Sequence, residues 1–255
     1  KAETSEGAVS VAGAVAVSIW NDTTNAILRG TTQCSGLLKV IAETCETLTV
    51  SADASATISQ TGVGVTVAIL VANVTDKAQV EGSHTAGSMQ VLAIMPQVDV
   101  TDKTTGMVIG TTEGVNTVKV SSQSGAGASN VGVAGAVAIG IYSADYSASV
   151  KSAVLNTIGR ENLIHSRIRH NISTKAGASE DLAAAGGAST SDKKTGIGAS
   201  FALMIANIKS NAFIAENGQV TSKGSSKILA EAINDVHTEA IAGEDGYGEK
   251  GKPGQ

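Results

Sequence analysis

A block of nine residues occurs four times in the chain, and this repetition constrains the fold more than any other feature of the sequence. The copies begin at Val11, Val63, Val133 and Ile197, so that successive copies lie 52, 70 and 64 residues apart. Each copy is followed at the same distance by an alanine; these alanines are Ala26, Ala78, Ala148 and Ala212. Repeats of this kind stack on one another, because a single repeat cannot bury its own hydrophobic side chains.

A second segment recurs in phase with the first. Lys39–Glu43 returns as Gln90–Ile94 and as Lys227–Glu231, and the alanine of each copy lies 16, 15 and 18 residues beyond the alanine that follows the block. In the third repeat Leu163–His165 takes this place, which aligns His165 with the alanine of the other copies. Two phased segments in four copies predict one architecture for residues 7–242.

Side chains within the blocks alternate with the period of a strand. In the first block Val11, Val15, Val17 and Ile19 fall on one face, and Ala12, Ala14, Ala16 and Ser18 fall on the other. Period two with β-branched residues indicates a strand rather than a helix. We expect the valine face to be covered by the neighbouring repeat.

A helix is the competing interpretation for the alanine-rich residues 228–241. The corresponding residues 40–52 argue against it, because they include the strand-forming sequence Leu48-Thr49-Val50. Aromatic residues make up only 2% of the chain and glycines number 29, a composition that suits thin layers of small and β-branched side chains. The predicted fold class is therefore mostly β, a parallel β-helix or β-solenoid built from four irregular repeats.

The repeats are expected to span residues 7–58, 59–126, 127–194 and 195–242 of a single solenoid segment, residues 1–242. Because these repeats are longer than one coil of a β-helix, each should supply two or three coils. Residues 174–194 are rich in Gly, Ala and Ser and predict a long loop. Residues 243–255 predict a flexible linker or tail.

Charge and motifs argue against several classes of function. A net charge of −5 predicts no nucleic-acid partner, and the longest apolar run, residues 131–142, is too short to span a membrane. The Gly-x-Gly-x-x-Gly motif at residues 246–251 has neither a strand before it nor a helix after it. The histidines lack metal-ligand spacing, so that no metal or cofactor is predicted; they are His84, His165, His170 and His237.

The two cysteines allow two interpretations. In an extracellular protein Cys34 and Cys45 would form a disulfide across a short loop. The alternative is that both are small buried hydrophobic side chains. The sequence favours neither.

Residues 164–172 contain the candidate ligand site. Isoleucines and polar residues alternate here, with Ile164, Ile168 and Ile172 facing inward and His165, Arg167, Arg169 and Asn171 facing outward. A cationic stripe on an acidic protein suits an anionic glycan or an acidic partner, because guanidinium groups pair with anions. The alternative is a solvated face that discourages aggregation at strand edges.

Two aromatic residues occupy equivalent positions in their repeats. Trp20 and Tyr142 stand where the other repeats have Ala72 and Ala206. They form either an aromatic ridge for a ligand or a cover for the neighbouring alanines, and burial is the usual role of such rings.

The blocks Gly7–Ile19, followed by Trp20–Thr24, and Thr195–Asn207 resemble the repeats of giant leukotoxin-type filamentous adhesins of bacteria. The resemblance implies an extracellular or cell-surface protein that forms a right-handed parallel β-helical filament and acts as a stalk or contact module. The implied partners are a host or surface glycan or protein, or neighbouring repeats of the same chain. The resemblance transfers no functional residue.

The enzymatic alternative is a β-helical polysaccharide lyase or hydrolase. Such an enzyme needs acidic calcium ligands and a basic residue in a cleft. Asp99 and Asp102 are close in sequence, but their spacing points them to opposite faces of a strand. Since Asp53, Asp76 and Asp145 each stand alone, the sequence predicts a protein that is not an enzyme.

Overall fold

The computed structural model describes residues 2–104, 106–159, 161–179 and 195–243, and all the regular structure in these ranges is strand. The strands in chain order are β1 (Ala2–Leu28), β2 (Thr31–Gln33), β3 (Leu37–Glu43), β4 (Thr47–Ala86), β5 (Ser88–Ile94), β6 (Gln97–Thr101), β7 (Val108–Glu113), β8 (Asn116–Thr157), β9 (Asn162–Ser179), β10 (Thr195–Ile214), β11 (Gln219–Ser222) and β12 (Ser226–Gly243). The prediction of a mostly-β chain is confirmed. The helix considered for residues 228–241 is excluded, because they lie within β12.

The four blocks pair side by side in parallel. Val11 pairs with Val63, Val63 with Val133, and Val133 with Ile197. This register keeps equivalent residues of successive repeats adjacent, as the alignment of the blocks predicts. Each repeat therefore contributes one level of strands, and the expectation of two or three coils per repeat is wrong.

The second segment also pairs in parallel, but its predicted alignment in the third repeat is wrong by one residue. Ser166, and not His165, pairs with Ala93 of β5 and with Ala230 of β12. His165 pairs with Leu92 and therefore belongs to the opposite face from the alanines. The loop predicted from residue 174 is also shorter, because β9 continues to Ser179 and residues 180–194 lie outside the described residues.

The strands form two layers that face each other across a thin interior. The block layer consists of residues 9–28, 61–86, 131–157 and 195–222, and the facing layer contains residues 37–56, 88–94, 116–126, 162–179 and 226–243. Side chains of both layers meet in the core, where Ser122 Oγ donates a hydrogen bond to Thr66 Oγ1 at 2.7 Å. A Cβ at Gly64 would collide with the backbone of Gly125 in the opposite layer, which shows how closely the layers approach.

The interior side of the block layer carries the small residues, which corrects the expectation of a covered valine face. Ala68 and Ala138 are fully buried, whereas Val15 and Ile19 are 73% and 71% exposed. The physical reason is that the facing layer supplies β-branched side chains such as Ile168 and Ile172 to the interior, which leaves space mainly for small side chains on the opposite strands. The valines therefore point outward, away from the core.

An antiparallel hairpin accounts for the extra length of the second repeat. β6 and β7 pair with each other and not with the parallel strands. The hairpin interrupts the facing layer between β5 and β8. At the same level of the first repeat, residues 44–46 interrupt it between β3 and β4.

Candidate functional site

A band of polar side chains crosses the interior where the facing layer is interrupted. It separates two apolar clusters, one around Leu70 and Ile172 and the other around Val80 and Val91. Tyr142 and Tyr146 of β8 supply the largest side chains of the band, and both are buried. Burial raises the pKa of both phenols, so each stays protonated and can donate a hydrogen bond.

One part of the band is a chain of hydrogen bonds through His170. Its ring lies edge-on to Tyr142, with centroids 5.2 Å apart. Burial lowers the pKa of His170 to about 4, so the ring is neutral at physiological pH. The neutral tautomer that satisfies both neighbours donates from Nδ1 to Asn234 Oδ1 at 3.1 Å and accepts at Nε2 from the Tyr142 hydroxyl at 3.1 Å.

Asn116 joins this chain to the loop between β3 and β4. Its Nδ2 donates to the Tyr146 hydroxyl at 3.1 Å, and its Oδ1 accepts from the backbone N–H of Glu46 at 2.8 Å. The Tyr146 hydroxyl in turn donates to the carbonyl of Thr44 at 3.2 Å. The buried band therefore fixes residues 44–46 through hydrogen bonds to the backbone of Thr44 and Glu46.

Above this loop lies a cleft of about 530 Å³, which we call the acidic cleft. It is lined by Trp20, Asp22, Thr24, Glu43, Thr44, Cys45, Glu46, Thr47 and Leu48. Trp20 Nε1 donates to Glu46 Oε1 at 3.3 Å, and the ring of Trp20 is 45% exposed. The cleft thus places an accessible aromatic ring beside a carboxyl group.

Two carboxyl groups, Glu46 at the cleft and Asp76 in the buried interior, hold protons unusually tightly. Burial, together with the hydrogen bond and charge of Asp22, raises the pKa of Glu46 to about 7. Burial and the charges of Asp22 and Glu43 raise the pKa of Asp76 to about 7. Asp76 is fully buried, and neither carboxyl oxygen has a hydrogen-bond partner. Both groups can therefore exchange a proton near neutral pH.

The described residues contain no group of three His, Cys, Asp or Glu side chains placed to hold a metal ion. Cys34 and Cys45 are both free thiols, with Cys45 exposed at the acidic cleft. Glu46 and Trp20 give the cleft a group that exchanges a proton and an aromatic ring beside it.

The predicted ligand strand lies in β9 with the predicted faces. Ile164, Ile168 and Ile172 are buried, and the alternate residues His165, Arg167, Arg169 and Asn171 point outward. The stripe is already partly paired with acidic groups, because two carboxylates bind Arg167, Glu113 at 3.1 Å and Glu231 at 3.2 Å. Arg169 is half-buried, and Asn171 is exposed beside Asp235.

Glu231 also accepts from His165 Nε2 at 3.2 Å. The structure therefore brings the predicted residues together on one surface, but the charge of that surface is partly balanced.

The two aromatic residues do not form a ridge. Ala72 pairs with Trp20 on one side and with Tyr142 on the other, so the predicted equivalence of the two positions is confirmed. Both side chains belong to the inward face, where Tyr142 is buried and Trp20 lies at the outer strand. The interpretation of Tyr142 as a core residue is the one that the structure supports.

The sequence patterns do not single out Glu46, Asp76 and Asn116 as functional residues. Asp76 lies two residues before the recurring alanine Ala78 and shares its inward face. A charged residue on a face of small apolar residues is the signal that could have revealed the polar band. Glu46 and Asn116 gave no comparable signal, because each lies at the end of an interruption whose length varies between repeats.

No protein-family model, no curated protein and no solved structure matches the chain. Within the described residues there is also no helix long and apolar enough to cross a membrane. Three structural features bear on function: the register of the repeats, the basic strand and the acidic cleft.

Proposed function

We propose that the chain is part of a right-handed parallel β-solenoid and serves as a stalk and contact segment of a large bacterial surface or secreted protein. The observation that carries this proposal is the parallel register of all four repeats, in which equivalent residues lie on adjacent strands. Architectures of this kind extend by adding repeats, because each new repeat contacts only its neighbour. The resemblance to leukotoxin-type filamentous adhesins supports the same function.

The ends of the stack suit a longer array. Among the described strands, β1 pairs only with β4, and β12 pairs only with β9. The outer edges of these strands carry backbone groups that a further parallel strand could pair with. A stalk of stacked repeats needs two such edges, one at each end.

The basic strand is the contact surface of this proposal. Arg167 and Arg169 lie on the outward side of β9, and guanidinium groups bind sulfate and carboxylate groups in a planar, two-point manner. The acidic partners of Arg167 are only partly buried, with Glu231 47% exposed, so an anionic glycan can compete for the guanidinium group. The ligand class is therefore a sulfated or sialylated glycan on a host cell or another surface.

The experiment is a binding assay on immobilised sulfated and sialylated glycans at several salt concentrations. We expect the parent chain to bind, with affinity falling as salt rises. Arg167→Ser combined with Arg169→Ser should weaken binding about tenfold. The matched control is Lys77→Ser combined with Lys209→Ser, which removes two positive charges from the block layer and should bind like the parent. Absence of parent binding, or equal loss in both variants, would contradict the contact role.

A second candidate function is hydrolysis of a polysaccharide, and the acidic cleft is the observation that favours it. Glu46 holds a proton near neutral pH, and Trp20 offers an exposed ring of the kind on which sugars stack. The cleft lining contains no lysine or arginine, which makes a hydrolase a better fit than a lyase.

Release of reducing ends from a panel of polysaccharides tests the second candidate. A stalk should show no turnover. Turnover that disappears in Glu46→Gln but persists in Glu43→Gln would establish the hydrolase instead and place its acid at Glu46.

A further inference from the structure

One part of the outward side of the block layer is a continuous apolar surface. We call it the aliphatic face, and it comprises the outward side chains of residues 11–19, 63–71, 133–141 and 197–205, which lie in register on four adjacent strands. Ten of its side chains are large, hydrophobic and exposed: Val11, Val15, Val17, Ile19, Val65, Ile141, Ile197, Phe201, Leu203 and Ile205. None of the outward positions in these ranges is a charged residue.

Stacking of repeats leaves this face partly exposed. Successive repeats pair edge to edge, so an added repeat covers the flanks of the outward side chains on β1 and β10 but not their ends, as Val67 and Ile69 of β4 remain partly exposed between two strands. Val65 shows this directly, because it is 49% exposed although β4 lies between β1 and β8. The aliphatic face therefore needs a partner that approaches perpendicular to the sheet.

The exposed area is large enough for a specific interface. With roughly half of each of the ten side chains exposed, the face offers on the order of 1,000 Å² of apolar surface, compared with about 800 Å² per partner in a standard protein–protein interface. It also exceeds the roughly 300–600 Å² of the largest apolar patch on a typical monomer. Exposure of this extent marks an interaction surface.

We propose that the aliphatic face binds the same face of a second copy of this chain. The face carries no charge, so it has no electrostatic complementarity to an acidic or basic partner. A two-fold dimer instead buries the apolar face against the same apolar face of the second copy. Two sheets related in this way pack face to face about 10 Å apart, with their side chains interdigitated. The face supplies the array of β-branched side chains that such packing uses.

The relief of the face is self-complementary. Across the strands, Gly13, Val65 and Gly135 form a single row, so that one projecting side chain stands between two gaps. The gap at Gly135 is open, because no atom lies within 4 Å of the place that a Cβ would occupy. A second copy displaced by one strand sets its own Val65 into such a gap.

The boundary of the face also favours a protein partner over a lipid surface. A row of polar residues closes one side, and in it Asn73 Nδ2 donates to Asn21 Oδ1 at 2.9 Å. Surfaces that lie on a bilayer combine apolar side chains with several aromatic rings and with basic residues at the headgroup level. The aliphatic face has one ring, Phe201, and no basic residue.

Sedimentation equilibrium from about 1 to 100 μM tests the proposal. We expect a dimer of the parent chain, and a dissociation constant at least about a hundredfold higher for Val67→Lys combined with Val137→Lys, because the interface would bury both charges. The matched control is Thr75→Lys combined with Ser147→Lys, which adds the same charges on the outward side of the same strands beyond the polar row. This control should dimerise like the parent. Should the lysine pair at 67 and 137 impair folding, as judged by the urea midpoint, Val67→Ser with Val137→Ser replaces it.

Three results would overturn the proposal. One is a parent chain that stays monomeric at 100 μM. Another is association that the lysine pair at 67 and 137 leaves unchanged, because the copies would then pair through their strand edges. The third is a monomer that co-sediments with phosphatidylcholine vesicles, which would assign the face to lipid. None of these results bears on glycan binding, so that failure here and failure of the proposed contact role are distinguishable.

Discussion

Replacing Asp76 with asparagine should increase the free energy of unfolding at pH 8 and change it little at pH 5. Asp76 is fully buried, lacks a hydrogen-bond partner and lies near the carboxylates of Asp22 and Glu43, so its ionised form is disfavoured in the folded chain. Asparagine has nearly the same shape and carries no charge at any pH. The substitution therefore removes the cost of ionisation and keeps the packing.

The direction of the effect follows from the pKa values of the two states. The pKa of Asp76 rises from 3.8 to about 7 on folding, so the folded chain binds the proton more tightly than the unfolded chain does. Stability is greatest below the unfolded pKa, falls as the pH rises from about 4 to 7, and is constant above that range. A shift of this size corresponds to about 4 kcal/mol at high pH, at 1.36 kcal/mol per pKa unit.

The expected net gain is smaller than this figure. The buried amide of the asparagine also lacks partners, which costs about 1–3 kcal/mol at every pH. We therefore expect the variant to be about 1–3 kcal/mol more stable than the parent at pH 8 and close to the parent at pH 5. The variant's gain in the free energy of unfolding should be about 2–3 kcal/mol larger at pH 8 than at pH 5. This change with pH is the quantity to measure, because the amide cost is the same at both pH values and cancels.

Urea unfolding of parent and variant at pH 5, 6, 7 and 8, at constant ionic strength, supplies this difference. Glu46 titrates in both proteins, so its contribution to the pH dependence of the free energy of unfolding cancels when the parent's value is subtracted from the variant's. Asp53→Asn, on the outward side of the same strand, controls for the loss of one carboxylate. A difference between parent and Asp76→Asn that stays constant from pH 5 to 8 would refute the reasoning, because it would mean that Asp76 ionises in the folded chain as easily as in the unfolded one.

Three further predictions concern the interior. Ala68→Leu should lower the free energy of unfolding by about 1–3 kcal/mol because the gap between the layers has no room for it, whereas Val67→Ala on the outward face should change monomer stability by about 0.5 kcal/mol or less; urea midpoints compare the two. Gly64→Ala should destabilise the chain through collision with the opposite layer, and Gly135→Ala, which meets no atom within 4 Å, should leave the stability of the monomer unchanged; equal thermal midpoints, measured at concentrations too low for dimerisation, would contradict this. Tyr142→Phe should cost about 1–3 kcal/mol in the same assay, because the buried imidazole acceptor loses its donor; a neutral result would show that water replaces the hydroxyl.

The register of the fold is the part that the sequence predicts best. Matching the blocks without gaps aligned Val11 with Val63, and these residues pair directly in the sheet. The register can be predicted because similar segments pair in parallel with equivalent side chains adjacent. Residues that align in the sequence are then also the residues that pair in the sheet. The register of the second segment is harder to predict, because an insertion of variable length precedes it. The predicted alignment of His165 with Ala93 is wrong by one position.

The candidate sites divide in the same way. The alternation in β9 predicted correctly that Arg167 and Arg169 point to one side, because a strand fixes that relation locally. It could not predict that Glu113 and Glu231 bind Arg167, since the former lies on a hairpin and the latter in the next repeat. The polar band was missed for the same reason: Asn116 and His170 meet only when two distant strands pair.

Alternation of side chains with period two does not predict which face of a strand is buried in the core when both faces are apolar. Over residues 63–71 valine and isoleucine alternate with small residues and leucine, and both sets read as apolar. From Asn73 onward the outward positions become polar, Asn73, Thr75 and Lys77, while the inward positions continue as Val74, Asp76 and Ala78. A parallel strand that is apolar on both faces is characteristic of a sheet covered on both faces. The facing layer covers only the inward side, so the stretch of double-sided apolar sequence marks the extent of the second, external contact.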